Sequence, residues 1–180
     1  MSLVLQSSGG GQITIQEPAT ASNFTQTLPA ADGVTMVSGN MPAFSAYNSA
    51  NQTLTNNTWT KVNANIEVFD TNSNYDNVTN YRFLPTVAGY YQVNASVRVT
   101  ATVSILLTVV GIYKNGTSFV ECVAPPFASS FSNANVSAVM YLNGTTDYIE
   151  LYAYSSATGT ITLDTNLGQT FINASMVRAA

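Results

Sequence analysis

The sequence predicts an all-β protein, a ten-strand sandwich of the jelly-roll type that follows an extended N-terminal arm. The first reason is alternation: from Tyr91 to Val103, seven apolar side chains are separated by six polar ones. This period of two is typical of a strand with one face on a core and the other in solvent. The second is that no segment sustains the 3.6-residue apolar repeat of an amphipathic helix. The third is a pair of hairpin dipeptides, Asn115-Gly116 and Asn143-Gly144, whose residues tolerate positive φ.

Shorter apolar runs bounded by turn residues predict the remaining strands. The apolar stretch from Val103 to Val110 is rich in β-branched residues and falls short of the roughly 18 to 20 residues that span a bilayer, so it predicts a buried strand. Loops are predicted at 71–77 and 124–133. Many short strands separated by turns indicate a sandwich or jelly roll. The shorter predicted strands are Ala43–Tyr47, Trp59–Asn63, Ile66–Phe69, Tyr81–Leu84, Ile105–Tyr113, Ser137–Leu142, Tyr148–Tyr154, Thr160–Leu163 and Thr170–Val177.

Residues 1–40 differ in composition and apolar patterning from residues 41–180, which form the predicted jelly-roll domain. Glycine and proline punctuate short apolar pairs, and only the alternation in Gln12–Gln16 predicts a strand. No cluster here is large enough to close a core of its own. We therefore expect an extended arm that becomes ordered on a partner protein. The predicted docking contacts are Ile13, Ile15, Phe24 and Leu28.

Charge and composition exclude several functions. Only 8% of the residues are charged, the formal net charge is −4, and the five basic residues are scattered. This pattern argues against binding to nucleic acid or to an anionic membrane surface. The N-terminus lacks the basic region and apolar run of a signal peptide, so we expect synthesis in the cytoplasm of the producing cell. Cys122 is the only cysteine, which precludes an intrachain disulfide.

The residue types that carry common catalysis are missing or scattered. The chain has no histidine, which excludes Ser-His-Asp and Cys-His sites and histidine-ligated zinc. A pair of acids three residues apart on a strand, Glu67 and Asp70, faces opposite sides and does not make a glycosidase pair. We therefore predict no enzyme activity, no catalytic residues, no cofactor and no metal. A calcium site of loop carboxylates stays an alternative; its candidates are Asp70, Asp76, Asp147 and Asp164.

Nine Asn-x-Ser/Thr sequons are an expected result of the composition rather than a sign of glycosylation. Two of them, at Asn94 and Asn173, fall within predicted strands, and no signal peptide is expected.

The strands carry, in order, a spaced residue pattern that resembles the globular domain of complement C1q, of the C1q/tumour-necrosis-factor jelly-roll class. The most specific piece is Pro85-Thr-Val-Ala-Gly-Tyr-Tyr91, and the pattern covers essentially all of residues 41–180. The resemblance departs at Thr145-Thr146, which precede Asp147 where the family places an acidic residue directly after glycine. The other matching pieces are Ala43–Ser45, Phe69-Asp70, Tyr75-Asp76, Tyr81–Phe83, Ile112–Gly116, Val139–Gly144, Asp147–Leu151 and Phe171–Val177.

This resemblance implies a ten-strand jelly roll and a homotrimer, because members of the class nearly always associate around a three-fold axis. The arm has a second resemblance: the segment from Gly11 to Val34 is similar to one that recurs in virion-associated proteins of tailed bacteriophages. Together the two resemblances imply a structural protein of a phage particle.

Tyrosines and loop residues supply candidate contacts. Tyr148, Tyr152 and Tyr154 share one strand face, opposite the aliphatic face of Ile149, Leu151 and Ala153. If the aliphatic face fills the core, the tyrosines need another cover, and we expect a trimer contact; an outward patch that binds sugar is the alternative. The candidate outward loop residues are Asn72, Tyr75, Phe127 and Phe131.

The expected function is a homotrimeric capsid decoration, or cement, protein on the virion surface, with the arm bound to the major capsid protein or another virion protein. The alternative is a tail-fibre or receptor-binding tip whose loops contact host surface glycan.

Overall fold

The computed structural model describes residues 2–16, 19, 25, 30, 36–124, 129–165 and 167–180. The chain divides into two compact units, residues 1–33 and 34–180. In these described parts, no helix has the length and apolar character needed to cross a bilayer.

The first unit contains an antiparallel hairpin of β1 (Ser2–Gln6) and β2 (Gln12–Gln16). Its turn is closed by the Ser7 amide, which donates to the Gly11 carbonyl at 2.8 Å, and Gly10 supplies the positive φ of 86°. The strand β2 was predicted from its alternation and β1 was not, although Leu3 and Leu5 have the same two-residue spacing as Ile13 and Ile15.

The second unit is a two-sheet sandwich, with a 3₁₀ turn at Ser38–Asn40 ahead of its strands. Its described residues form thirteen strands. These are β3 (Ala43–Tyr47), β4 (Gln52–Leu54), β5 (Thr60–Lys61), β6 (Ile66–Asp70), β7 (Tyr75–Asp76), β8 (Arg82–Phe83), β9 (Gly89–Ala101), β10 (Ile105–Lys114), β11 (Thr117–Val123), β12 (Phe131–Leu142), β13 (Ile149–Ala157), β14 (Ile161–Leu163) and β15 (Phe171–Ala179).

The larger sheet is organised around β9. One edge of β9 pairs with β12 over its whole length, and the other edge pairs first with β15 and then with β14. Strands β3 and β6 continue the sheet beyond β15, and β4 continues it beyond β14. The smaller sheet has the order β11-β10-β13-β8-β7, with β5 also paired to β13.

Aromatic and aliphatic side chains fill the space between the sheets. Phe44 of β3 stacks on Phe83 of β8 with ring centroids 4.4 Å apart, which joins the two sheets. Tyr91 of β9 is fully buried, and its hydroxyl donates to the Val87 carbonyl at 2.7 Å, so its polar end is satisfied. The predicted alternation of β9 is confirmed from Tyr91 to Val99, whose odd-numbered side chains are buried, but the strand ends at Ala101 and Val103 is 37% exposed rather than buried.

Edge strands account for the main differences from the predicted strands. β4 and β11 were not predicted, and β12 begins at Phe131, inside the predicted loop 124–133. The side chains of β11 are mostly exposed, so it lacks the buried alternation by which half-buried strands are recognised. Residues Phe131 to Asn133 are in a strand because their backbone pairs with Thr100 to Arg98 of β9. Such pairing partners are not visible in a single sequence.

Two carboxylates organise loops between strands through hydrogen bonds and an ion pair. Asp76 accepts hydrogen bonds from the backbone amides of Val78 and Thr79 at 3.0 and 2.8 Å. These bonds, with that of Thr79 the strongest cause, lower the Asp76 pKa to about 2. Asp147 lies 2.8 Å from the Lys114 ammonium, which is the main cause of its lowered pKa, and it also accepts from the side-chain amide of Asn115.

Replacement of Gly89 by alanine tests the close contact of β9 with β15. A Cβ at this position would lie 2.5 Å from the Arg178 carbonyl oxygen and 3.0 Å from Cε of Met176. We expect Gly89→Ala to reduce the free energy of unfolding by about 1–3 kcal/mol in urea denaturation. Gly39→Ala is the matched control, because no heavy atom lies within 4 Å of its Cβ position. Equal stability of the two variants would contradict the close contact.

Acid conditions should weaken the fold through Asp76 and Asp147. Both carboxyls have a lower pKa in the folded chain than the ordinary value of 3.8, so their stabilisation is present above that pH and is lost as the pH falls towards 2. Urea unfolding at successive pH values should show this decline, and Asp76→Asn should make it shallower. Glu67→Gln, at an exposed carboxylate, is the control. An unchanged slope in Asp76→Asn would refute the role of Asp76.

Candidate interaction surfaces

The hairpin of the first unit has one wholly aliphatic face. Its register places Leu3 opposite Ile15 and Leu5 opposite Ile13, so the four side chains point to the same side. They are between 51% and 66% exposed. An isolated two-stranded hairpin is at best marginally stable in water, and this one has no charged residue at either edge. A partner surface that covers the face would stabilise the hairpin.

Two of the four predicted docking residues, Ile13 and Ile15, lie on this face, and their docking role stays a prediction. The other two, Phe24 and Leu28, lie outside the described residues. Sequence reasoning missed Leu3 and Leu5; their two-residue spacing ahead of the Gly9–Gly11 turn was the available signal.

The outer face of the larger sheet carries exposed apolar side chains. Tyr90 of β9 and Tyr141 of β12 are directly opposite each other, with ring centroids 5.6 Å apart. Their exposed fractions are 44% and 42%, and that of the adjacent Val139 is 53%. The Lys114 ammonium lies 5.8 Å from the Tyr141 ring centroid and donates to the Tyr141 carbonyl.

Neutral amides occupy the middle of the same face. The Gln92 side chain donates to Oδ1 of Asn94 at 3.2 Å, and the Asn94 side chain donates to Oδ1 of Asn173 on β15 at 2.9 Å. Arg178 of β15 is exposed and is the register partner of Tyr90, so this face has a positive charge beside its rings and neutral amides in its middle.

The predicted contact tyrosines lie on the smaller sheet and are partly covered by their own chain. Tyr152 of β13 stacks on Tyr113 of β10 with ring centroids 4.1 Å apart. Tyr154 lies 5.6 Å from the ring of Trp59, which precedes β5. The opposite face of β13 fills the core, as expected, but the tyrosines have intrachain neighbours rather than bare surfaces that need another subunit. Their role in a trimer stays a prediction.

Tyr148 lies apart from this stack, in the turn before β13, where the Arg82 guanidinium is 4.5 Å from its ring centroid.

Trp59 was not among the site residues predicted from the sequence. Its status as the only tryptophan was visible in the sequence, but nothing there showed which strand it contacts.

Trp59, Tyr113, Tyr152 and Tyr154 form a continuous group of rings, which we call the aromatic layer. Trp59 also lies 5.6 Å from Tyr113 at an interplanar angle of 61°. Its indole lies against Gly111 of β10, where a Cβ would come within 3.2 Å of the ring. A Cβ there would come still closer to Cε2 of Tyr113, at 2.9 Å, so glycine lets both rings lie close to the backbone of β10. Burial raises the pKa of the Tyr113 and Tyr152 hydroxyls, with smaller contributions from Glu121 and Glu150 respectively.

One predicted outward residue is placed differently. Tyr75 was expected in a loop at the surface, but it is only 7% exposed, stacks on Phe44 at 4.7 Å and donates its hydroxyl to the Ala64 carbonyl. The prediction was wrong because the short strand β7 pairs with β8 and turns this ring into the core. Burial is also the main cause of its raised pKa.

The other predicted outward loop residues differ in how exposed they are. Asn72 is half-buried and donates to the Gly39 carbonyl at 3.3 Å. Phe131 begins β12, is 54% exposed and lies 5.1 Å from the Arg98 guanidinium. Phe127 lies outside the described residues.

The four candidate calcium carboxylates have separate partners within the chain. Asp70 accepts from the amides of Tyr75 and Asn72, at 2.6 and 3.2 Å. Asp164 lies 3.0 Å from Nε of Arg98, in a contact that is not aligned as a hydrogen bond. Among the residues that the structure describes, no group of three or more His, Cys, Asp or Glu is placed to hold a metal ion.

No family model and no curated protein sequence matches the chain. Solved structures do resemble it. Murine APRIL has a TM-score of 0.56 at 13% identity, over 76% of this chain and 99% of that one. The globular domain of zebrafish complement 1qA has a TM-score of 0.53 at 15% identity, over 77% and 99%. The vertex protein P5 of PRD1 has a TM-score of 0.55 at 12% identity, over 76% and 73%.

At these identities the likeness shows the fold. The chain has the jelly-roll fold of the tumour-necrosis-factor and C1q domains, and the fold class predicted from the sequence is confirmed.

Proposed function

We propose that this chain is a non-enzymatic structural protein of a tailed-phage particle, a homotrimer that decorates the capsid and is held there by its N-terminal arm. The observation that carries the proposal is the hairpin of the first unit, a small uncharged sheet with an uncovered aliphatic face. The jelly roll has a closed core of its own and does not need this face. The hairpin therefore suits attachment to another protein.

Two independent observations, one of the fold and one of the sequence, support the proposal that the protein belongs to a phage particle. The jelly roll is similar in fold to a phage vertex protein, and the segment from Gly11 to Val34 resembles virion-associated segments of tailed phages. Within the particle we propose the major capsid protein, or another virion protein, as the partner of the arm.

The C1q resemblance implies three-fold self-association, and we propose the outer face of the larger sheet as the contact. Tyr90, Val139 and Tyr141 are more exposed there than the half-buried rings of the smaller sheet. Burial of exposed apolar area from three copies would stabilise the assembly.

A receptor-binding tip of the tail is the second candidate. The observation that favours it is Phe131, which is 54% exposed at the start of β12, within the predicted loop 124–133. Abundance on the particle separates the two candidates, because a decoration protein covers the head in many copies whereas a tail tip holds few.

Particle composition and binding of the arm test the location. Quantitative gel densitometry of purified particles should find this chain at a copy number comparable with that of the major capsid protein. Paired substitutions Ile13→Lys and Ile15→Lys should abolish binding to heads that lack the protein, because they place charge on the docking face. Thr14→Lys, on the opposite face of β2, should leave binding intact. A copy number of a few trimers per particle would favour the tail tip.

Light scattering tests the trimer and its contact face. The unmodified protein should have the mass of three chains of 19.1 kDa each. Val139→Lys should shift the mass to one chain, since it introduces three charges into the contact around the axis. Val78→Lys is the matched control, because Val78 is 73% exposed in a loop. A single-chain mass for the unmodified protein would refute the trimer, and a trimeric Val139→Lys would refute this face.

A further inference from the structure

Among the residues that the structure describes, the aromatic layer is the largest group of rings outside the core, and neither the fold nor the proposed attachment explains it. The core is closed on the opposite face of β10 and β13 by Val110, Ile112, Ile149 and Leu151, all at most 1% exposed. The layer is built on the outer face, where its four rings are half-buried.

We propose that the aromatic layer is a binding site for a neutral saccharide. Each ring system of the layer joins an apolar face to a hydrogen-bonding group at its rim: three phenol hydroxyls and one indole N–H. A pyranose ring has the same alternation, an apolar face of C–H groups surrounded by hydroxyls. The two surfaces are therefore chemically complementary.

The packing holds the rings in place before any ligand arrives. The Trp59 indole is fixed between Gly111 below it and the rings of Tyr113 and Tyr154 beside it. Tyr154 is fixed further because its hydroxyl donates to Oδ1 of Asn57 at 3.2 Å. A preorganised site loses little side-chain entropy on binding.

Charges around the layer favour a neutral ligand over an acidic one. Glu150 is paired across the strands with Tyr113 and bonds to the Lys61 ammonium. Glu121 is exposed opposite Gly111 on β11 and accepts from the Ser118 hydroxyl at 2.6 Å. Arg82 of β8 is also paired with Glu150, and Asp76 of β7 is paired with Arg82, so three carboxylates and two cations give the surroundings a net negative charge, which opposes an anionic sugar. The exposed carboxylate is also a ready acceptor for sugar hydroxyls.

The site belongs to a single chain, so this inference does not depend on the trimer or on the position of the protein in a particle. All four rings come from one jelly roll. The substitutions that test the arm and the trimer leave the layer unchanged.

The only tryptophan of the chain lies in the layer and reports on it directly. The full-length protein would be applied to an array of neutral and acidic glycans, and the strongest neutral ligand would then be titrated while Trp59 emission is recorded. We expect saturable binding of a neutral glycan with a change in the emission of Trp59. Tyr152→Ala should weaken this binding at least about tenfold, a loss equal to about 1.4 kcal/mol.

Two further variants keep the result decisive. Tyr113→Leu preserves apolar area but removes a flat ring, so it tests the layer if Tyr152→Ala does not fold, as judged by thermal unfolding. Phe69→Ala is the matched control, because it removes a ring that is 48% exposed on β6 of the other sheet and should leave binding unchanged. Absence of binding to every neutral glycan, preference for acidic glycans, or loss of binding only in Phe69→Ala would overturn the proposal.

Discussion

The alternating strand β9 is the constraint on which the rest of the structure depends. It pairs along both edges, so the larger sheet cannot form without it. Its buried side chains contribute a central row of the core, where Tyr91 lies 5.8 Å from Phe83 of the smaller sheet. Because the side-chain period of a strand is two, the same register that buries this row sends Tyr90, Gln92 and Asn94 outward. The core and the proposed trimer face are thus fixed together.

The two outer faces of the sandwich differ in a way that separates their proposed roles. The larger sheet presents exposed rings, aliphatic groups and a row of amides, which suits a contact between identical copies. The smaller sheet presents rings that already pack on one another and on Gly111, with carboxylates beside them. This half-buried aromatic surface exposes less apolar area for a subunit contact than the outer face of the larger sheet. Because its rings are held in place, it has a better defined shape for binding a small ligand.

Scarcity of charge influences every surface of this protein. Three of the five basic residues, Lys61, Arg98 and Lys114, lie against carboxylates, and Arg82 lies over the ring of Tyr148. Neutral side chains therefore make many of the polar contacts: asparagine, serine and threonine cap loops and bridge strands. In the hairpin, the lack of charge favours association with another surface. Its aliphatic face and open edges have no protection against association, which is consistent with an attachment role.

The sequence by itself determined the all-β class, the half-buried character of β9 and the separate texture of the arm, because two-residue alternation and turn residues are local signals. Family-like spacing added the jelly-roll topology. Only the tertiary structure decided that Tyr75 is buried, that Phe131 is in an edge strand, and that Trp59 lies on Gly111. Each of these depends on residues far apart in the chain: Tyr75 on Phe44, Phe131 on Thr100, and Trp59 on β10. A single sequence shows which side of a strand is apolar, but the partner that covers that side is set by the pairing of distant strands.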